Sequence, residues 1–302
     1  QAVSMASCVD AVIALGGGST LDAAKVLAAL LGTGRPCADF RLGIRAIPER
    51  QVPLIAIPTT AGTGSEATSI SILSDDNGVK YWYWAEGLKP DHIVIDPELM
   101  TGLPAVLTAQ TGVDALVHAI EASTNRNATD LNNFYAHEAI RLCLKSLPRA
   151  VTTPDCLTAR GDMALAACYA GIAIDNAGTA VAHAIGHALA SLVPMHHGLS
   201  VAIGKAAALP AQVKSNERFD ALAQIFGVSS RLDLPDAFMA FLADVRLELR
   251  VDLEDLRTET LSAQMMKPEN EAMLQSTDLV LTPGLISSIA ERSIEVARGR
   301  AT

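Results

Sequence analysis

The chain lacks several features that would each assign it to a particular class of protein. Its five cysteines are odd in number and form no Cys-x-x-Cys pair, so we expect buried free thiols in a reducing cytoplasm. No cluster of lysine or arginine stands out and the net charge is −10, so no nucleic-acid partner is expected. The longest apolar run, Met163 to Ile174, is shorter than the ~20 residues that cross a bilayer. We predict a buried core helix there and no membrane partner.

The first hundred residues alternate short apolar strands with helical or loop segments. Strands are predicted at 11–15, 53–57 and 92–95, each a continuous apolar run. Such runs separated by helices indicate a parallel sheet covered on both faces. Beyond Leu103-Pro104, helices are predicted at 104–123, 131–147, 159–174, 177–192, 198–213, 218–226 and 235–249. The sequence therefore predicts an α/β domain over residues 1–100 and an all-α domain over residues 101–302.

A run of glycines follows the first predicted strand and precedes a predicted helix. Gly16, Gly17, Gly18 and Ser19 would bring backbone N–H groups and a helix N-terminus toward a phosphate. Glycine permits this close approach because it has no Cβ. The run departs from Gly-x-Gly-x-x-Gly, and a tight turn without a ligand could use the same residues. The glycines alone leave both interpretations open.

A second polar loop follows the strand predicted at 53–57. It reads Pro-Thr-Thr-Ala-Gly-Thr-Gly-Ser-Glu-Ala-Thr from Pro58 to Thr68. Ligands of open α/β sheets bind beyond the carboxyl ends of the strands, where this loop lies. Serine or threonine ahead of a glutamate is also a helix-capping arrangement. Because a cap needs one hydroxyl and this loop has several, the pattern favours ligand binding.

Histidines and an aspartate at helical spacing are the strongest chemical signal. Asp114 and His118 are four residues apart, as are His183 and His187, so each pair shares one face of a predicted helix. Neutral imidazoles with one carboxylate suit Fe²⁺ or Zn²⁺, whereas Mg²⁺ prefers more oxygen ligands. One of the adjacent histidines at 196–197 can join this set, and spacing does not choose between them. The remaining histidines, His92 and His137, are interpreted as structural.

Together these motifs resemble the iron-dependent (group III) alcohol dehydrogenases, which are related in fold to glycerol dehydrogenase and dehydroquinate synthase. The matching blocks follow in order: Gly16 to Lys25, Pro58 to Glu66, Asp96 to Leu99, Leu103-Pro104, Thr111 to Leu116, His118 to Glu121 and His183 to Gly198. The C-terminal third fits only in being helical. The resemblance implies a dehydroquinate synthase-like fold. Its dinucleotide-binding domain would hold a partial parallel sheet, and the helical domain would bind the metal.

The resemblance also implies a role for each matching residue. The implied metal ligands are Asp114, His118, His183 and His197, which selects the second of the adjacent histidines. His187 would face the substrate and either pass the hydroxyl proton outward or shape the pocket. The residues implied in cofactor binding are Gly16, Gly17, Gly18, Ser19, Asp22, Thr59, Thr60, Thr63, Ser65 and Lys80. We expect the substrate pocket to draw on Ala115, Val117, Glu121 and His187.

The implied activity is reversible oxidation of a small alcohol to its aldehyde or ketone, with Fe²⁺ or Zn²⁺ and with NAD or NADP. A lyase or cyclase of the dehydroquinate-synthase type is one alternative, which Asp114 and the scarcity of basic residues oppose. Family members carry a further N-terminal stretch that we expect to be missing here. A silent metal-binding fragment is therefore another alternative, and the choice between NAD and NADP stays open. We also expect a homo-oligomer in the cytoplasm, since no charged and then apolar leader opens the chain.

Overall fold

The structure is a computed structural model that describes residues 9–76, 79–253 and 255–300. The strands are β1 (Val12–Gly16), β2 (Leu54–Pro58), β3 (Ile70–Ser74), β4 (Lys80–Trp84) and β5 (His92–Ile93). The first helices are α1 (Gly18–Leu30), α2 (Ala105–Thr124), α3 (Asp130–Thr152), α4 (Leu157–Ala177), α5 (Val181–Leu192) and α6 (His197–Ser215). They are followed by α7 (Phe219–Phe226), α8 (Leu234–Asp244), α9 (Thr258–Met265), α10 (Glu271–Ser276) and α11 (Pro283–Ala297).

Strands β1, β2 and β5 form a parallel sheet in the order β1-β2-β5, with Ile13 opposite Ile55 and Ile55 opposite His92. Helix α1 provides the crossover between β1 and β2, and its Leu21 and Ala28 pack against buried residues of both strands. A strand followed by a crossover helix and a parallel strand is the unit that dinucleotide-binding folds repeat. The predicted partial parallel sheet is confirmed. The division of the chain at residue 100 into two domains stays a prediction.

One part of the prediction about this sheet is wrong. Ile13 and Leu15 on β1 are 65% and 54% exposed, so helix α1 covers only the opposite face within the described residues. A run such as Ala-Val-Ile-Ala-Leu contains no polar residue that would mark a solvent face. The pattern therefore predicted burial on both faces where the structure has it on one.

Sequence analysis also missed the antiparallel hairpin formed by β3 and β4, in which Ile70 pairs with Trp84 and Ser74 with Lys80. A signal for it existed, because isoleucine alternates with serine in the first run and aromatic residues fill the second. The second strand of the hairpin begins at Lys80, one of the residues that the resemblance implies in cofactor binding.

The helical region encloses helix α2, whose residues from Thr108 to Thr124 are all buried. Glycines allow the helices to pack closely. A Cβ on Gly112 of α2 would lie 2.3 Å from a methyl of Leu147 on α3, and one on Gly204 of α6 would lie 2.5 Å from the carbonyl oxygen of Ala182 on α5. The predicted helices are present with shifted ends. Helix α5 begins later than predicted because Gly178, with φ +78°, ends helix α4. Polar residues on α2 are thus held at the centre of a tightly packed bundle.

The apolar run from Met163 to Ile174 lies inside helix α4 and is largely buried, as predicted. Within the residues that the structure describes, no single helix is long and apolar enough to cross a bilayer. Helices α4 and α5 meet that test only when taken together, and they are bent by 103° at their junction.

Candidate metal centre and nucleotide cleft

Three helices bring an aspartate and three histidines to one place. Asp114 and His118 lie one turn apart on α2, while His183 lies in the first turn of α5 and His197 is the first residue of α6. The Oδ1 atom of Asp114 is 3.6 Å from Nε2 of His183 and 3.6 Å from Nε2 of His197. One ligand atom from each of these three residues lies within 4.8 Å of the other two. The fourth residue, His118, stacks on His183 with 4.4 Å between ring centroids.

These side chains have polar atoms that are buried without a hydrogen-bond partner. They are Oδ1 of Asp114, Nε2 of His183, Nδ1 of His118 and Nδ1 of His197. An unsatisfied buried polar atom costs roughly 1–3 kcal/mol, so several in one place require an explanation. Oδ1 of Asp114 and Nε2 of His183 would both serve as ligands of a divalent cation. For His197 the nitrogen that faces Asp114 is Nε2, not the unpaired Nδ1. A carboxylate beside imidazoles is a donor set that fits such a cation.

The protonation states of these side chains also bear on how they would bind a divalent cation. Burial lowers the pKa of His118 to about 4 and that of His197 well below its usual value, so both imidazoles are neutral. Burial alone would raise the pKa of Asp114, but the imidazoles of His118, His197 and His183 bring it below the usual range. Asp114 is therefore an ionised carboxylate beside the neutral rings of His118 and His197. Burial would lower the pKa of His183, but the adjacent carboxylates of Asp114 and Glu121 raise it to about 9. Fe²⁺ and Zn²⁺ both accept carboxylate and imidazole ligands.

Glu121 lies at the back of the cluster and is completely buried. Its Oε2 accepts hydrogen bonds from Nδ1 of His183 and from the backbone N–H of Ala180, both at 2.7 Å, and its Oε1 accepts one at 2.6 Å from the N–H of Ala182. Sequence analysis placed Glu121 in the substrate pocket, and that placement is wrong because the carboxylate is enclosed between α2 and the start of α5. The sequence contained one signal for this location, because Glu121 lies three residues after His118 on the same helix.

A pocket with about 320 Å³ of empty space, open to solvent, lies beside the cluster and is lined by Lys80 and His187 among others. The ring of His187 is 5.3 Å from that of His197, and burial lowers its pKa well below the usual value. Burial also lowers the pKa of Lys80, although the nearby Asp114 and Asp22 raise it. Sequence analysis missed the pocket residues of the C-terminal third, among them Gln264 and Asn270, since nothing in that region matched a motif.

The glycine run and the threonine-rich loop pack against each other at the carboxyl ends of β1 and β2. The N–H of Thr59 donates to the carbonyl of Gly16 at 2.9 Å. A Cβ on Gly18 would lie only 2.5 Å from Cγ2 of Thr63, so this contact requires glycine. Gly17 lies next to Thr60 in the same way, and a Cβ there would be 3.4 Å from its side chain. The two predicted ligand-binding loops are therefore in direct contact at the carboxyl ends of these strands, where Ser19 is exposed.

Asp22 and Ser65 connect elements around these loops. The hydroxyl of Ser65 donates to Oδ1 of Asp22 at 2.5 Å, and the N–H of Ile72 donates to Oδ2 at 2.9 Å. Because both carboxylate oxygens are engaged and Ser65 is buried, these two side chains hold α1, the threonine loop and β3 together. Their predicted role in cofactor binding stays a prediction.

The threonine loop also packs on the helix that carries the metal cluster. A Cβ on Gly62 would lie 2.8 Å from Cβ of Thr111, one turn before Asp114 on α2. The same loop touches α4, where a Cβ on Gly64 would lie 2.5 Å from Cα of Gly171. The threonine loop and the metal cluster are therefore adjoining, because both contact helix α2.

Comparisons with protein-family models and with known proteins point to the iron-containing alcohol dehydrogenases. A family model described as iron-containing alcohol dehydrogenase matches residues 2–97, and one described as the C-terminal part of the Fe-containing alcohol dehydrogenase family matches residues 108–278. The NAD-dependent methanol dehydrogenase of Bacillus methanolicus is 38% identical over 221 residues, which are 72% of this chain and 58% of that protein. The sulfoacetaldehyde reductase of Bilophila wadsworthia is 33% identical over 266 residues, which are 84% of this chain and 68% of that protein.

A solved structure is similar over most of the described fold. It is a sulfoacetaldehyde reductase from Bifidobacterium kashiwanohense in complex with NAD⁺, with a TM-score of 0.85 at 27% identity, covering 93% of this chain and 75% of that one. The present chain spans little more than half of the methanol dehydrogenase. Nothing in these matches supports the dehydroquinate-synthase alternative. The chain belongs to the family of iron-containing alcohol dehydrogenases.

Proposed function

We propose that the chain carries the metal site and the nucleotide cleft of a nicotinamide-dependent dehydrogenase that interconverts a small alcohol and its aldehyde. The observation that carries this proposal is the convergence of Asp114, His183 and His197, with unpaired buried atoms, beside the glycine and threonine loops. The proposed ligands are these three residues and His118. The ring of His118 stacks on that of His183 with 4.4 Å between the centroids, which supports its inclusion.

A bound Fe²⁺ or Zn²⁺ would supply a Lewis acid for the alcohol oxygen, and a bound nicotinamide would supply the hydride acceptor. The protein side chains position these groups and exclude water. Neutral His187, which lines the pocket next to His197, is placed to take the hydroxyl proton and pass it toward solvent. Gly16 to Ser19 would hold the cofactor pyrophosphate at the start of α1, where the helix dipole favours an anion.

The dinucleotide that we propose to assay first is NAD. The Bacillus methanolicus relative is named as NAD-dependent, and the Bifidobacterium kashiwanohense structure contains NAD⁺. Thr59, Thr60 and Thr63 would line the cofactor cleft. Lys80, at the start of β4, would reach the cofactor from the side of the pocket. The cysteines that the structure describes are free, as predicted, but Cys37 is exposed, so the prediction that all are buried is wrong. Free thiols suit the cytoplasmic location that we also propose. The homo-oligomer stays a prediction.

A test of the whole proposal loads the purified protein with Fe²⁺ without oxygen, or with Zn²⁺, and offers a panel of small alcohols with NAD and with NADP. We expect one equivalent of metal per chain and metal-dependent formation of reduced nicotinamide. An Asp114→Asn variant should lose both. Retention of metal and turnover by that variant would show that the cluster is not the metal site.

Replacing His187 with glutamine is expected to lower kcat by roughly 10²-fold or more, because general acid–base catalysis contributes ~10²–10⁴-fold. Bound metal should not change, since His187 is not a proposed ligand. The measurement is the dependence of kcat on pH in the parent and the variant. The parent should show an ionisation that the variant lacks. Identical pH profiles would rule out a proton-relay role.

Replacing Lys80 with methionine is expected to raise KM for the cofactor by about 10- to 100-fold, because a hydrogen bond to a charged group contributes ~1.5–3 kcal/mol. Methionine keeps most of the length and removes the charge. Lys214→Met serves as a control, since Lys214 is exposed on α6. Steady-state kinetics with varied cofactor measure both variants. An unchanged KM in Lys80→Met would remove Lys80 from the cofactor site.

A further inference from the structure

Both carboxylate oxygens of Glu121 accept hydrogen bonds from groups that can only donate. The N–H of Ala180 points at Oε2 and the N–H of Ala182 at Oε1, at 2.7 and 2.6 Å. Together with the ring of His183, these two N–H groups bring three hydrogen-bonding groups to the two oxygens, which favours the ionised carboxylate. Such a carboxylate, buried at the first turn of α5, also interacts favourably with the helix dipole.

The third donor to Glu121 is the ring of His183. Its Nδ1 lies 2.7 Å from Oε2, and beside an ionised carboxylate the proton of this hydrogen bond lies on Nδ1. The other nitrogen, Nε2, is then the one with a free lone pair when the ring is neutral. This nitrogen is 3.6 Å from Oδ1 of Asp114 and lacks a hydrogen-bond partner.

We propose that Glu121 is the positioning residue of the metal centre, fixing the tautomer and direction of His183 through its Nδ1 and the start of helix α5 through Ala180 and Ala182. This inference rests on the proposed metal site and adds a residue that does not contact the metal. The same two carboxylate oxygens orient the ring of His183, and with it the proposed ligand atom Nε2, and anchor the first turn of α5, which carries His183. A partner of this kind raises the basicity of an imidazole ligand, and its loss typically costs roughly 10- to 100-fold in metal affinity.

The negative charge of Glu121 has a buried counterpart in Lys205 on α6. Lys205 is completely buried, donates to Oε1 of Gln212 at 2.9 Å and lies over the ring of Phe219 at 5.2 Å. A buried carboxylate in the core of the bundle is costly unless it is paired and hydrogen-bonded. Three donors and a nearby buried ammonium group meet that requirement, so the bundle can retain an ionised group at this position.

Glu121→Gln is the informative variant because glutamine keeps the shape and replaces one oxygen with an NH₂ group. In one orientation the NH₂ group faces the N–H of Ala182. In the other it faces the N–H of Ala180 and can donate to Nδ1 of His183, which would move the ring proton to Nε2. Either way one backbone donor loses its acceptor, and the second orientation also blocks the ligating nitrogen.

The experiment measures Zn²⁺ affinity by chelator competition, which needs neither substrate nor cofactor. We expect Glu121→Gln to bind Zn²⁺ roughly 10- to 100-fold more weakly than the parent. The matched control is Asp175→Asn. Asp175 is a mostly buried carboxylate on α4 that accepts hydrogen bonds from the N–H and hydroxyl of Ser69 and pairs with Lys89. Its variant should keep the parent affinity.

A measurement on the parent protein covers the case in which Glu121→Gln does not fold. Long-range ¹H–¹⁵N correlation spectra of the zinc-loaded parent should show a slowly exchanging proton on Nδ1 of His183 and zinc on Nε2. Zinc on Nδ1, or equal affinity of Glu121→Gln and the parent while Asp114→Asn binds weakly, would overturn the positioning role and leave the metal site standing. Failure of the parent to bind Zn²⁺ would instead overturn both the site and this inference.

Discussion

A His183→Ala variant is expected to retain no metal and to show no alcohol-dependent reduction of nicotinamide. His183 supplies the unpaired Nε2 next to Asp114, and its other nitrogen donates to Glu121. Alanine removes a proposed ligand and also leaves the buried carboxylate of Glu121 without one of its donors. Loss of a hydrogen bond to a charged buried group costs ~1.5–3 kcal/mol, so we also expect a lower free energy of unfolding for the metal-free protein.

Two measurements test this prediction. One is the metal content after gel filtration, and the other is turnover in the presence of excess Fe²⁺ or Zn²⁺. The control is His137→Ala, which removes a half-buried histidine from α3, outside the cluster. That variant should keep a full equivalent of metal. A His183→Ala protein that kept metal and turnover would contradict the proposed ligand set.

A Gly198→Ala variant is expected to weaken metal binding although it changes no ligand. Gly198 is the second residue of α6, directly after His197, and a Cβ there would lie 2.0 Å from the carbonyl oxygen of Gln110. The oxygen belongs to the backbone of α2, which is held on all sides, so the start of α6 has to move instead. Movement there carries His197 away from Asp114. Overpacking of this kind costs ~1–3 kcal/mol of stability, and Zn²⁺ affinity should fall with it.

Gly284→Ala is a matched control because Gly284 is also the second residue of its helix, α11, and nothing lies within 4 Å of the Cβ it would gain. Alanine there should leave stability unchanged or raise it by up to ~1 kcal/mol. Urea unfolding and chelator competition compare the two variants with the parent. Equal stability and equal affinity in Gly198→Ala would show that α2 and α6 are farther apart than described.

The sequence predicted the helices, strands and residues of the candidate site better than it predicted the side chains that surround them. Spacing of four residues placed Asp114 and His118 on one helix face, and the structure has them there on α2. Continuous apolar runs correctly indicated parallel strands. Spacing could not choose between His196 and His197, because adjacent residues point in different directions only once the helix start is known. In the structure α6 begins at His197, and His196 precedes it and accepts from the N–H of Gly198.

Hydrogen bonds between side chains that lie far apart in the sequence could not be predicted from the local sequence pattern. Glu121 meets His183 across 62 residues, and Ser65 meets Asp22 across 43. Each contact depends on how two elements pack, which periodicity does not report. The hairpin of β3 and β4 was missed for a different reason. Its alternating residues are a signal, but each strand has only five residues and the first follows directly on the threonine loop.

The central claim is that Asp114, His118, His183 and His197 enclose one divalent ion. X-ray diffraction from crystals of the iron- or zinc-loaded protein, recorded on both sides of the metal absorption edge, tests it most directly. The account predicts one anomalous peak per chain, with nitrogen and oxygen ligands at about 2.0–2.2 Å from these four side chains. A peak at any other set of residues, or a loaded crystal without a peak between α2, α5 and α6, would contradict it.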